Sequence, residues 1–233
     1  TSHIDFMVFA GHKMYNPDGS GIVFAPAKLS DNARPFLPGG GTVKAVTLKR
    51  TIYTKGPERH EGGTPDILGT IGLRAAMVGL RRVGMKRIRE HERKLVGTTL
   101  KGMKKIPGLK VYGGFSDNRV GAISFAIEGI DYMKLAKEMT HAGLQTREGC
   151  FCAHPYVHQL LGMSSGEADE LAAQLETNEH AYKPGLVRAS FGIYTTPQDV
   201  RRFLTVIRKI ASDARKAKKT TGSNRTGLRI RAA

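Results

Sequence analysis

Cysteine is almost missing from this chain: Cys150 and Cys152 are the two in 233 residues, and they lie one residue apart. A Cys-x-Cys pair does not readily close a relaxed disulfide, and two thiols make no disulfide framework. A reducing compartment, the cytoplasm, is therefore expected. No run of about 18 apolar residues occurs, so no membrane-spanning helix is expected. Nor do the first residues show a charged stretch leading into an apolar core. The chain opens with Thr1 and passes within a few residues into an apolar segment, so its N-terminus is read as cut. No internal repeat is visible, and no metal-ligand set is read from the sequence. Acidic residues are few, 20 Asp and Glu against 37 Lys and Arg, a formal net charge of +17 at pH 7. The excess is local: residues 74–110 hold twelve Lys or Arg and two Glu, and residues 208–233 hold nine against Asp213. Such zones attract polyanions. Neither is interleaved with aromatics, and no nucleic-acid module is recognisable. Solvated helix faces and a disordered tail explain the charge more simply than nucleic-acid binding.

What is present reads as a soluble mixed chain, 40% hydrophobic with a mean hydropathy of -0.29, long enough for one large or two small domains. Strands are predicted at 4–10 and 20–25, joined by the turn formers Asn16-Pro17-Asp18-Gly19. Gly39-Gly40-Gly41 marks a tight loop. From Thr64-Pro65 to about Lys105 the chain reads as mostly helical, with Leu73, Met77, Leu80, Val83, Ile88, Leu95 and Leu100 on one stripe and Pro107-Gly108 as the stop. Further strands are expected at 109–112, 120–125 and 187–191. A helix over 132–142 would bury Leu135, Ala136 and Met139, with Gly143 at its C-terminal end. An acidic helix-like stretch follows at 166–179. Thr196 and Pro197 supply an N-cap and first residue for a last helix, whose buried face is Val200, Phe203, Leu204, Ile207 and Ile210. From about Ala214 the apolar positions vanish. The organisation is thus an α/β portion (1–78), a βαβ-rich α+β domain (79–213) and a basic, disordered tail (214–233).

Gly11-His12-Lys13 ends the first predicted strand. A lysine closing a buried strand has its charged form disfavoured, which is what a Schiff-base lysine needs. A surface lysine at a strand end is the plainer alternative. Arg188 lies inside an otherwise apolar strand and needs a partner there. Its planar guanidinium suits a carboxylate, gripped by two parallel hydrogen bonds.

Four motifs in order carry a family resemblance across some 200 residues. Asp5-Phe6-Met7-Val8-Phe9-Ala10-Gly11-His12-Lys13-Met14-Tyr15 resembles the cofactor-lysine motif of class V pyridoxal-phosphate-dependent aminotransferases, most nearly the cysteine desulfurase/selenocysteine lyase branch. Glu61-Gly62-Gly63-Thr64-Pro65 is similar to the family's Glu-x-Gly-Thr-Pro. Arg147-Glu148-Gly149-Cys150-Phe151-Cys152-Ala153-His154-Pro155 is similar to its Arg-x-Gly-x-x-Cys-Ala-x-Pro. Val187-Arg188-Ala189-Ser190-Phe191-Gly192-Ile193-Tyr194-Thr195-Thr196 resembles its Arg-x-Ser-x-x-x-Tyr-Asn-Thr, with Thr195 in place of Asn.

The resemblance implies a fold-type-I transferase: the C-terminal part of the large cofactor-binding domain plus the small α+β C-terminal domain. It implies pyridoxal 5'-phosphate as cofactor, Lys13 as its Schiff-base lysine and proton-transfer base, and His12 as a phosphate contact. Ala10 stands where relatives often have a phosphate-binding Ser. Thr64 would reach the phosphate of a neighbouring subunit, implying a homodimer with shared sites; an N-cap before Pro65 is its structural alternative. Arg188 would hold the substrate carboxylate. Cys152 would be the nucleophile that takes sulfur from L-cysteine as a persulfide, with Arg147 favouring its anion, for delivery to a sulfur-acceptor protein. Cys150 has no role by resemblance. A class V aminotransferase or epimerase acting on another amino acid, and a non-catalytic basic binding remnant, are the alternatives. Several cofactor contacts, including an aspartate on the ring nitrogen, fall upstream of Thr1 by resemblance. The chain is therefore expected to be a C-terminal portion, inactive alone.

Overall fold

The computed structural model describes residues 3–220. They form two compact units that divide between Met85 and Lys86; the sequence placed the boundary between residues 78 and 79.

The first unit opens with β1 (Met7–Ala10) and β2 (Gly21–Phe24), an antiparallel hairpin in which Met7 faces Phe24 and Ala10 faces Gly21. The first strand is not buried as expected, and the hairpin is open: Val8 and Val23 are 74% and 68% exposed. β1 has β2 as its one strand neighbour among the described residues, so neither strand is enclosed in a wider sheet. A short helix α1 (Ala27–Asn32) follows and is tied to the segment around Gly56, whose N–H donates to Asp31 Oδ1 at 2.6 Å. A second hairpin, β3 (Val43–Val46) and β4 (Thr51–Tyr53), escaped the sequence reading. Its strands are three and four residues long and mostly exposed, so no alternating pattern announces them. Helix α2 (Ile67–Val83) closes the unit, and Gly84, at a φ of 91°, breaks it from α3 (Met85–Met103). The single helical stripe read from the sequence is thus two helices. A left-handed residue ends an α-helix at little cost only when it is glycine.

The second unit is built on a four-stranded sheet of order β5-β6-β8-β7 in which every pairing is antiparallel. Its strands are β5 (Leu109–Tyr112), β6 (Ala122–Ile127), β7 (Arg147–Gly149) and β8 (Leu186–Ser190). The expected βαβ character survives in one place. β6, helix α4 (Tyr132–His141) and β7 make a crossover between two strands that run the same way, with β8 inserted between them. Side chains alternate across this sheet. Ile123, Phe125, Ile127, Val187 and Ala189 point to one face and form the main core with Leu95, Leu100 and Met103 of α3 and Leu135 and Met139 of α4. The last helix, α7 (Pro197–Thr220), adds Val200, Phe203, Ile207 and Ala211 to that core. The other face carries a smaller cluster of Tyr112, Cys150, Val157 and Leu186, covered by α5 (His154–Leu161).

Helix ends are marked as their sequences suggest. Ser164 begins α6 (Ser165–Thr177) with a capping box: its Oγ accepts from Glu167 N–H at 3.2 Å, and Glu167 Oε2 accepts from Ser164 N–H at 2.7 Å. Thr196 and Asp199 repeat the arrangement at the start of α7, at 3.2 and 2.8 Å. Thr196 Oγ also donates to Asp199 Oδ2 at 2.7 Å, and this bond, with the one from Thr196 N–H, holds the Asp199 carboxyl below its ordinary pKa. α7 also corrects the expected tail. It continues to Thr220 because Ala214 still packs on the core, Arg215 Nη1 donates to Pro107 O at 3.1 Å, and Lys218 Nζ meets Glu128 Oε1 at 2.7 Å. The rest of the predicted tail, 221–233, lies outside the described residues.

Phe125 is fully buried and meets Phe203 edge-to-face with ring centroids 5.8 Å apart. Phe125→Ala is expected to cost about 3–5 kcal/mol, the usual penalty for deleting a buried ring. A urea titration followed by far-UV circular dichroism checks this as a lower midpoint at unchanged slope.

Candidate active site

In the first unit, the strand β1 ends at Ala10 and the chain turns through a single 3₁₀ turn, Gly11-His12-Lys13. Gly11 N–H donates to Ser20 O at 2.7 Å, and Gly11 O accepts from Met14 and Asn16 N–H at 2.8 and 3.2 Å. A side chain at residue 11 would place its Cβ 2.7 Å from Asn16 Nδ2 and 2.9 Å from Ser20 Oγ, so the close approach requires glycine. Asn16 is only 3% exposed. Its Nδ2 donates to Ser20 Oγ at 3.2 Å and to Gly69 O, in the first turn of α2, at 3.0 Å. Ser20 Oγ donates to the same carbonyl at 3.1 Å. The lysine turn is thereby fastened to a helix rather than left on a free hairpin.

His12 and Lys13 themselves are exposed. This corrects the expectation that burial tunes Lys13: the strand ends before it, and the turn carries both side chains outward. The alternative for Thr64 is corrected as well. Asp66, not Thr64, caps α2, its Oδ1 accepting from Gly69 N–H at 2.9 Å. Thr64 is exposed in the loop before the helix. That loop is backed by the glycine loop at 39–41, where Gly63 N–H donates to Gly40 O at 2.9 Å. A Cβ on residue 62 would approach Leu37 O to 3.0 Å, so the two loops meet backbone to backbone.

In the second unit, the pairing registers align Tyr112, Ser124, Arg188 and Arg147 in one row across all four strands. Directly opposed residues of antiparallel neighbours project to the same face, here the face of the smaller cluster. Arg188 is half-buried, and its Nε is buried without a hydrogen-bond partner. Its guanidinium carbon lies 4.9 Å from the centre of the Phe151 ring. Tyr112 Oη is a second buried polar atom with no partner, and burial pushes its phenol up. Arg147, exposed, stands opposite Arg188. Two like charges facing each other across strands destabilise the pair, and buried unpaired donors cost roughly 1–3 kcal/mol each. An anion seated on this row would relieve both. Sequence reasoning found the two arginines but not Tyr112 or Ser124, because strand register is invisible in a single chain.

Cys152 follows β7 in the turn that leads to α5. Phe151 and Cys152 hold φ values of 53° and 59°, left-handed for two successive non-glycine residues, with Ala153 N–H closing the turn on Cys150 O at 2.8 Å. Such backbone is costly and is retained where the surroundings fix it. It turns the Phe151 ring toward Arg188 while Cys152 remains exposed. Cys150, by contrast, is buried; its thiol donates to Pro184 O at 3.1 Å, and burial pushes it up. Neither cysteine is in a disulfide, as expected.

The aminotransferase class-V family model matches residues 1–203, and the chain belongs to that family, for which pyridoxal phosphate is the cofactor. Among curated proteins it is 32% identical over 202 residues to a probable cysteine desulfurase of Mycobacterium leprae, covering 86% of this chain and 43% of that one. A probable cysteine desulfurase of Xylella fastidiosa is likewise 32% identical over 206 residues, 88% of this chain and 44% of the relative. The apo structure of a cysteine desulfurase from Thermococcus onnurineus superposes with a TM-score of 0.77 at 32% identity, over 91% of this chain and 48% of that one. The mixed α/β architecture is therefore that of the fold-type-I enzymes. The chain spans about half the length of the relatives it matches.

Because the Cys150 thiol is pushed up by burial and Cys152 is exposed, iodoacetamide near neutral pH is expected to label Cys152 at least ~10-fold faster. Labelling of Cys150 should rise only as pH climbs past the ordinary thiol range. Peptide mass spectrometry over a pH series checks both.

Proposed function

We propose that this chain supplies the lysine, the carboxylate grip and the thiol of a pyridoxal-phosphate-dependent enzyme of the cysteine desulfurase type. The observation that carries the reading is the turn at 150–153, which exposes Cys152 while directing Phe151 at the half-buried, unpaired Arg188. The residues present fit the cofactor and its substrate. An exposed amine stands on a turn pinned by buried Asn16, and a buried donor without a partner waits on β8.

Lys13 Nζ would bind the aldehyde of the cofactor, with His12 beside it at the phosphate. Thr64, exposed and relieved of capping by Asp66, would offer its hydroxyl to a phosphate held by a second copy of the chain, making the enzyme a homodimer with shared sites. When bound, the cofactor supplies an electron sink for bonds broken at the amino acid. Arg188 would grip the carboxylate of L-cysteine with two parallel hydrogen bonds, and Arg147 opposite it would add charge. Lys13 Nζ, once free of the aldehyde, would move the α-proton of the substrate. Cys152, as thiolate, attacks the substrate sulfur. The new S–S bond leaves a persulfide on Cys152, and the electron pair of the broken C–S bond stays with the amino-acid remnant, which takes up a proton and leaves as alanine. An exposed persulfide can pass to an acceptor protein, and free thiols suit a reducing cytoplasm. No helix among the described residues is long and apolar enough to cross a membrane.

Incubation of the chain with pyridoxal phosphate, followed by borohydride and peptide mass spectrometry, is expected to fix the cofactor on Lys13 and to lose that label in Lys13→Ala. Equal labelling of other lysines in the variant would overturn the assignment. With the upstream half of the enzyme supplied and L-cysteine added, Cys152→Ala is expected to lower persulfide formation by more than about 10²-fold, as loss of a covalent nucleophile does. Arg188→Lys is expected to raise the half-saturating cysteine concentration about tenfold or more, because an ammonium cannot reproduce the two-pronged grip. Unchanged saturation in that variant removes Arg188 from the substrate site.

A further inference from the structure

We infer that Cys150, His154 and His158 form a binding site for a soft divalent metal ion, Zn²⁺ by preference, immediately behind the Cys152 turn. One ligand atom from each of the three lies within 4.8 Å of the others. The grouping follows from local structure. His154 and His158 are four residues apart on α5 and so share a face, their rings meeting edge-on at 5.9 Å. Cys150 ends the strand-to-turn connection that runs into the same helix.

The donor set selects the metal. One thiolate and two imidazoles suit zinc and are poor ligands for magnesium or calcium, which take oxygen. A zinc ion about 2.0–2.3 Å from each ligand atom holds them within roughly 4 Å of one another, so side-chain rotation alone has to close the remaining gap. Coordination replaces the proton on Cys150 Sγ, now shared with Pro184 O, and that proton leaves to solvent. Three protein ligands leave the fourth tetrahedral position open. His154 and His158 also line a cleft of about 610 Å³ together with Met163, Leu171 and Lys183, through which an exogenous ligand could reach that position. Lys183 on that wall favours an anion in the open position.

The placement has a mechanical consequence. Cys150 and His154 flank Cys152 by two residues on either side, so a shared metal staples both ends of the left-handed turn that carries it. Ligation would draw on the buried thiol, which the sulfur chemistry does not use, and leave exposed Cys152 outside the ligand set.

The test is titration of the full chain with Co²⁺ as the metal alone, followed by competition with Zn²⁺. Expected are one equivalent bound, strong visible bands of tetrahedral cobalt with a near-ultraviolet thiolate charge-transfer band, and loss of both on adding Zn²⁺. Cys150→Ser is expected to abolish the charge-transfer band, and His154→Gln or His158→Gln to weaken binding at least ~10-fold. Cys152→Ser is expected to keep the spectrum, and far-UV circular dichroism shows that each variant is folded. An octahedral cobalt spectrum without the thiolate band overturns the site. So does a spectrum that survives Cys150→Ser or disappears in Cys152→Ser.

Discussion

Side chains along β8 alternate between two faces, and the second unit depends on which residue takes which. Val187 and Ala189 enter the main core, while Leu186 and Arg188 face the smaller cluster under α5. A slip of one residue would exchange the sets and drive a guanidinium among Phe125, Leu135 and Ile207, with no partner for its charge. β8 is held between β6 and β7 and pairs with both, so the slip would break two ladders at once. The core thus fixes the register, and the register fixes where the arginine stands.

From that constraint the site assembles by neighbourhood. Tyr112 and Ser124 come into line with Arg188 through β5 and β6, and Arg147 through β7. The row combines two facing positive charges with two buried polar atoms lacking partners, a poor arrangement for stability alone. Arrangements of this kind persist where a ligand completes them. The turn after β7 contributes in the same manner: two successive left-handed residues hold Phe151 over Arg188 and leave Cys152 exposed.

The lysine turn of the first unit is organised by a different device. Buried Asn16 occupies space that glycine at residue 11 leaves open and reaches the first turn of α2 through Gly69. The amide is paired at each end, so it stiffens the loop without leaving a dangling donor. Lys13 then owes its position to hydrogen bonds beneath it rather than to burial around it.

Much of this was legible in the chain. The four motifs carried the family, because residue types at fixed spacing around a cofactor are local facts. The stripe of Leu135, Ala136 and Met139, and the Thr196-Pro197 start of α7, announced their helices for the same reason. Other features depend on partners distant in sequence. Gly84 divided one predicted helix into two, Ala214 and Arg215 carried α7 past its expected end by packing and bonding to remote segments, and exposure rather than burial fell to Lys13. The sequence by itself determined the family motifs, many of the elements and which side chains are chemically able to act. Tertiary structure alone decided that Tyr112 and Ser124 share a row with the two arginines. Register and burial come from contacts between segments, and no local spacing encodes those.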